Sequence, residues 1–200
     1  MSSTWAPILE DAQPRSHIAL VYRDDAFLAH AVAVWSAPAL RSGGGAILVG
    51  TPSHGLTVRN QLRKHGLDVD DLERRGKLVL LDADWLMARF VLDGTPDATR
   101  FRALAAEIVH GMRAAVGPAE IRAWGEMVSL LHLRGNAPAA RRLEDLWMEV
   151  ISQHGIALMC SYDLAGGGDH AGFMRDVAHQ HGRTLLQPEG DDATAAAATR

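Results

Sequence analysis

The chain has a single cysteine, Cys160, in 200 residues. No disulfide can form within it, so the expected home is a reducing compartment, the cytoplasm. Long apolar runs are missing too: no stretch approaches the ~20 residues of a membrane span. Residues Met1 to Ser16 lack a basic segment followed by an apolar one, so neither export nor a membrane anchor is expected. Positive charge is not in excess, with 20 Lys and Arg against 24 Asp and Glu and a net charge of -4. Such a balance gives no field to condense on a phosphate backbone, which argues against nucleic acid as a direct partner. There is also no repeat of fixed period and no internal linker rich in Gly, Ser or Pro. One domain is the expectation.

The 48% of hydrophobic residues suffices for one sizeable core. Residues 1–16 carry Ser, Pro and Gln without periodicity, and residues 189–200 are rich in Asp, Ala and Thr. Both ends read as flexible tails around a domain spanning 17–188. Six short apolar runs predict strands at His17–Tyr22, Ala46–Gly50, Lys77–Asp82, Glu120–Trp124, Ala157–Tyr162 and Thr184–Leu186. Most are apolar on both faces, as in a buried parallel sheet.

Helix-period segments separate them. A first helix is expected from about Asp25 to Arg41, with Pro38 set to kink or shorten it. Phe101, Leu104, Ala105, Ile108, Val109 and Met112 form one apolar stripe, and Leu143, Leu146, Trp147, Val150 and Ile151 another. The second of these has Asn136 as N-cap, Pro138 in its first turn and Gly155 as its C-terminal glycine. Trp85, Trp124 and Trp147 are expected in the core. The alternation predicts an α/β fold: a three-layer sandwich with a mostly parallel sheet and helices on both faces. Ligands of such folds bind at the carboxyl ends of the strands.

At one such end lies Gly50-Thr51-Pro52-Ser53-His54-Gly55-Leu56-Thr57, with the spacing of the phosphate-binding loop G-x-x-x-x-G-K-[ST]. Leucine stands where the lysine should be. A working loop cradles phosphates with backbone N–H groups, neutralises them with the lysine and holds magnesium with the hydroxyl. Loop and hydroxyl are retained here, but the charge is gone and Pro52 removes an N–H. Nucleotide hydrolysis by the usual route is not expected, and an ordinary strand-turn-helix with two glycines explains the stretch equally well.

Other polar residues fall at predicted strand ends: Asp82, Asp84, Glu126 and Asp163. The aspartates have the simpler reading of helix caps or strand stops. Glu126 sits among apolar neighbours, where an unpaired charge is costly. Arg89 and Phe90 follow the Asp82 strand end and could close a pocket, one by charge pairing and the other as an apolar lid; an ion pair of Arg89 with Asp84 or Asp93 is the alternative. The candidate ligand-binding set is therefore Ser53, His54, Thr57, Asp82, Arg89, Phe90 and Glu126, with no catalytic residue. No metal site is expected: His179 and His181 are two apart, and no cysteine pair or H-E-x-x-H accompanies them. Cys160 reads as a small buried hydrophobe.

End to end, the chain resembles the MEDS family, the methanogen/methylotroph sensory domain of the DcmR type. The likeness is carried by Tyr22-Arg23-Asp24-Asp25, Val49-Gly50-Thr51-Pro52-Ser53-His54, Leu80-Leu81-Asp82-Ala83, Ala88-Arg89-Phe90, Gly125-Glu126-Met127-Val128, Leu143-Glu144 with Leu146-Trp147, Cys160-Ser161-Tyr162 and His181 to Pro188. The chain departs from the family at His181-Gly182-Arg183, where relatives usually read His-Ser-His, and at Gly166-Gly167-Gly168. The resemblance implies a RecA/KaiC-like fold with a degenerate phosphate loop and a non-catalytic sensory role. It also implies a small-molecule ligand or a separate signalling partner, such as a histidine kinase or a transcription regulator. No cofactor is expected. Two alternatives remain: a nucleotide-binding, ATPase-like enzyme in which Arg59 or Arg89 replaces the lysine while Thr57 and Glu126 organise magnesium and water, or a homodimeric scaffold using an exposed apolar face over Phe27–Trp35.

Overall fold

A computed structural model describes residues 5–164 and 177–188. Six parallel strands form one sheet in the order β3-β2-β6-β7-β1-β8. They are β1 (His17–Tyr22), β2 (Gly45–Gly50), β3 (Leu78–Asp82), β6 (Ile121–Gly125), β7 (Ala157–Asp163) and β8 (Arg183–Leu186). All six predicted runs are thus strands of one sheet. The antiparallel hairpin of β4 (Val91–Leu92) and β5 (Thr95–Pro96) has no counterpart in the sequence-based reading, since two-residue strands carry no periodicity.

Helices cover both faces of the sheet. On one face lie α1 (Ala6–Glu10), α2 (Asp25–Arg41), α3 (Pro52–Lys64) and α4 (Val69–Arg74), over a core that includes Leu28, Trp35, Leu48, Leu62 and Trp124. The opposite face carries α5 (Ala83–Met87), α6 (Ala98–Val116), α7 (Met127–Leu133) and α8 (Ala137–His154), over Phe90, Phe101, Met112, Leu146 and Trp147. The inner strands β1, β2 and β6 are buried along their whole length, as a sheet covered twice requires, whereas the edge strands β3 and β8 are partly open. The α8 caps match the sequence: the Asn136 side chain accepts from the Ala139 N–H, and Gly155 takes the left-handed conformation at φ 67°.

Three expectations are corrected. First, α2 runs through Pro38 to Arg41 and is not shortened. Second, Trp85 is 52% exposed rather than in the core. Third, the N-terminal segment is not a tail over the described residues 5–16. Trp5 and Leu9 are buried, and Trp5 packs edge-on against Phe27 at 5.1 Å. The cause is Arg122 of β6, a buried guanidinium that needs acceptors. It donates to the carbonyls of Leu9 (2.8 Å), Glu10 (2.9 Å), Ala12 (3.3 Å) and Trp35 (2.9 Å), and to Glu120 at 2.7 Å. The α1 carbonyls thereby gain the partners that a helix C-terminus lacks, and the segment is tied to the sheet. Residues 189–200 and Gly166–Gly168 lie outside the described residues.

Candidate functional site

The chain turns directly from β2 into α3. Pro52, the first residue of α3, suits that position because the missing N–H is unpaired there anyway, and the Thr51 side chain caps the helix by accepting from the His54 N–H at 3.3 Å. The stretch expected to form a phosphate loop is therefore the first turn of a helix. The Gly55 N–H bonds to the Thr51 carbonyl at 2.9 Å, and the Thr51 N–H donates to the Glu126 carboxylate. The N–H groups of Thr51, His54 and Gly55 are thus engaged within the protein, and Pro52 has none to offer a phosphate. The Thr57 hydroxyl donates back to the carbonyls of Ser53 (3.1 Å) and His54 (3.0 Å), as helical threonines do, instead of facing a magnesium position. Retention of the loop and its hydroxyl, expected from the spacing, is corrected accordingly.

Glu126 is 2% exposed. Its second oxygen lies 2.6 Å from His54 Nδ1, and His54 Nε2 lies 3.2 Å from Asp25 at the start of α2. The Glu126 hydrogen bond, outweighing the cost of burial, holds the His54 pKa above the usual histidine value. The array is an imidazole between two carboxylates, which favour its protonated form, with Tyr22 edge-on to the ring at 6.3 Å. Burial, and then the Glu126 charge, push the Tyr22 phenol up. Both ring nitrogens of His54 face carboxylates, so it has no free lone pair with which to activate a nucleophile. Gly50 is required beside this array: a Cβ there would meet the Trp124 ring at 2.5 Å and Glu126 Oε1 at 3.2 Å.

The remaining candidates do not join His54 and Glu126. Ser53 is exposed, its hydroxyl 3.1 Å from that of Thr51. Asp82 caps α5, accepting from the Trp85 N–H at 2.9 Å. Arg89 lies on the exposed Trp85 ring and donates to the Trp85 carbonyl at 2.8 Å; Asp84 pairs with Arg134 instead, at 2.7 Å. Phe90 is no lid: it is fully buried and packs edge-on against Phe101 at 5.0 Å. Its apolar ring gains more from the core than from the pocket rim assigned to it. Arg59 is held by Asp70 (2.8 Å) and Glu73 (2.5 Å), and so is not a spare cation. Beside α3 a cleft of about 450 Å³ is lined by Gly50, Gly55, Leu56, Leu80, Asp82 and Trp124, among others. Asp82 alone of the seven candidates borders it.

A second constellation lies on the α8 side of the sheet, between β1, β7 and β8. His17 of β1, Glu144 of α8, Cys160 of β7 and His181, just before β8, are all buried, and one ligand atom from each lies within 4.8 Å of the others. Spacing along the chain gives no hint of it, because parallel pairing brings distant residues together, with Ala19 opposite Cys160 and Ile18 opposite Arg183. The available signal is Glu144, a carboxylate beside Leu143 on the apolar stripe of α8.

A parallel sheet between two helical layers, with the candidate crevice at the β2–α3 turn, places the chain among the three-layer α/β proteins, and the structural likeness narrows this to the RecA/KaiC-like fold. A KaiC-like protein from the hyperthermophilic archaeon Pyrococcus horikoshii OT3 superimposes with a TM-score of 0.57 over 90% of this chain and 76% of its own, at 14% sequence identity, which speaks for the fold. Within that class the chain belongs to the MEDS family, the MEthanogen/methylotroph, DcmR Sensory domain, which matches residues 16–181. No curated protein matches. Among the described residues no helix is long and apolar enough to cross a membrane.

Proposed function

We propose that the chain is a non-catalytic sensory module that binds a small ligand in the cleft beside α3 and passes its state to a separate signalling protein, of the histidine-kinase or transcription-regulator kind. The sensory half rests on family membership. The observation that carries the non-catalytic half is the Glu126 carboxylate on the Thr51 N–H: an internal anion occupies the donor that a phosphate would need. The arginine-substituted ATPase finds no support, because Arg59 is already paired with two carboxylates and Arg89 lies on Trp85. The apolar face of α2 that a homodimer would have used is buried, Phe27 and Trp35 included.

The cleft has the size of a small-molecule site and mixed walls, with Leu48, Leu80 and Trp124 on one hand and Asp82 and Arg59 on the other. A ligand that orders α3 against β3 would shift a two-state equilibrium that a partner can read. Thermal unfolding provides the test. Mg·ATP should leave the melting temperature unchanged, both in the native chain and in Leu56→Lys, because the returned lysine meets no phosphate-binding loop. A magnesium-dependent rise in either overturns the reading. A small metabolite at 100 times its Kd adds about 2.7 kcal/mol. That gain should vanish in Gly55→Trp, whose side chain enters the cleft toward Leu80, 3.9 Å from the Cβ position.

A further inference from the structure

We propose that His17, Glu144, Cys160 and His181 bind one divalent cation of the zinc type in a tetrahedral site of two imidazoles, a thiolate and a carboxylate. Four such donors seldom converge inside a core without a reason, since each is costly to bury and the interior offers apolar residues at lower cost. The four donors lie within 4.8 Å of one another, and three of their separations already match a closed site. Tetrahedral zinc, with bonds of about 2.0–2.3 Å, spaces its ligand atoms about 3.3–3.8 Å apart. His17 Nε2 lies 3.4 Å from Cys160 Sγ and 3.5 Å from Glu144 Oε2, and His181 Nε2 lies 3.8 Å from Glu144 Oε1.

Three of the four ligands are oriented from behind. His181 Nδ1 lies 2.7 Å from the Val177 carbonyl, which can only accept, so Nδ1 carries the proton and Nε2 turns its lone pair inward. His17 Nδ1 likewise faces Met148 Sδ at 3.2 Å, a weak acceptor, with its Nε2 toward the cluster. The Tyr162 hydroxyl donates to Glu144 Oε1. Glu144 Oε2, on a side chain 2% exposed, accepts from no N–H or O–H group among the described residues and lies 3.5 Å from His17 Nε2.

Charge agrees with this. Without a cation, burial pushes all four groups toward neutrality: His17 down to about 3, helped by His181, His181 down to about 4, Glu144 up to about 7, and the Cys160 thiol upward. A divalent cation reverses the balance for the two acids, because one thiolate and one carboxylate cancel its charge and the imidazoles bind in the neutral form they already hold. A cavity of about 530 Å³, lined by His17 and Met148 with Ile8, Arg15, Gln180 and Arg183 among others, gives a cation a way in. The donor set favours zinc, and cobalt as its spectroscopic substitute, over magnesium or calcium, which prefer oxygen. This site lies on the opposite face of the sheet from the crevice at α3 and stands or falls independently of it.

The test begins with the whole chain stripped by a chelator and checked for fold by circular dichroism, then titrated with Co2+ and Zn2+. One equivalent of each should bind per chain. Co2+ should bring up the charge-transfer absorption of a cobalt–thiolate bond, Zn2+ should displace it, and folded Cys160→Ser should lack it. Cys160 is the sole cysteine, so thiol labelling in mild denaturant reads the same atom without a mutation, and Zn2+ should slow it at least about tenfold. Folded, stripped protein that takes up neither ion stoichiometrically, or labelling that Zn2+ leaves unchanged, overturns the proposal. So does a cobalt–thiolate band that survives Cys160→Ser.

Discussion

The crevice at α3 and the buried cluster under α8 are built from the same residue types, and the protein treats their charges in opposite ways. Beside α3, Glu126 and His54 lie 2.6 Å apart and the contact favours the protonated form of the histidine. Under α8, Glu144 and His17 come no closer than 3.5 Å, and burial favours the neutral form of both. A short hydrogen bond to an ionised partner outweighs partial burial, whereas burial dominates where no charge is opposed at short range. The difference shows that an imidazole beside a carboxylate is not by itself an ion pair.

The largest effect expected from breaking this contrast comes from the two glutamates. Glu126→Ala leaves the Thr51 N–H and a charged His54 without their partner and should cost about 3 kcal/mol in denaturant unfolding. Glu144→Gln in metal-free protein removes little charge below pH 7, where burial keeps the carboxyl mostly protonated, and keeps an acceptor for Tyr162, so measured there it should cost about 1 kcal/mol or less. Equal losses would break the comparison. Next is Gly50→Ala, whose methyl group meets the Trp124 ring at 2.5 Å. Overpacking of that kind should cost about 2 kcal/mol, measured in the same way, and a neutral result would mean that Trp124 yields readily.

The smallest effect sharpens the contrast ring by ring. In an NMR titration of the metal-free chain, His54 should titrate above 6.5, while His17 and His181 stay neutral until well below it. The sign for stability follows. A histidine with a raised folded pKa contributes stability that is fully present below pH 6.5 and is lost as pH rises through the folded value. In Glu126→Gln the His54 pKa should fall and that pH dependence should disappear. A His54 that titrates unchanged in the variant would remove Glu126 as the cause.

Much of the fold was legible because its signals are local. Both-face apolar runs marked the six strands, and Asn136, Pro138 and Gly155 bounded α8 within a residue. The site was legible only in part. His54 and Glu126 are joined as residues at two strand ends, but Tyr22 and Asp25, which complete the array from the end of β1 and the start of α2, carry part of the family resemblance and no site role in the sequence. Arg89 and Phe90 follow Asp82 closely in sequence yet point elsewhere, one onto an exposed tryptophan and the other into the core. The N-terminal segment reads as aperiodic, and contacts distant in sequence order it: Arg122, more than 100 residues away, and the packing of Trp5 on Phe27.

Length, charge, lone cysteine and apolar periodicity determined by themselves that this is an α/β chain with a buried parallel sheet, and the leucine at position 56 already told against a working phosphate loop. These properties depend on residue types and on neighbours a few positions apart. Two things were decided by the tertiary structure alone: that the Glu126 carboxylate fills the donor position at the start of α3, and that His17, Glu144, Cys160 and His181 meet at one point. The reason is the strand order, which sets β2 beside β6 and, in β7-β1-β8, packs the beginning and end of the chain side by side. Contacts across that order carry no period along the sequence, so they exist only once the sheet has formed.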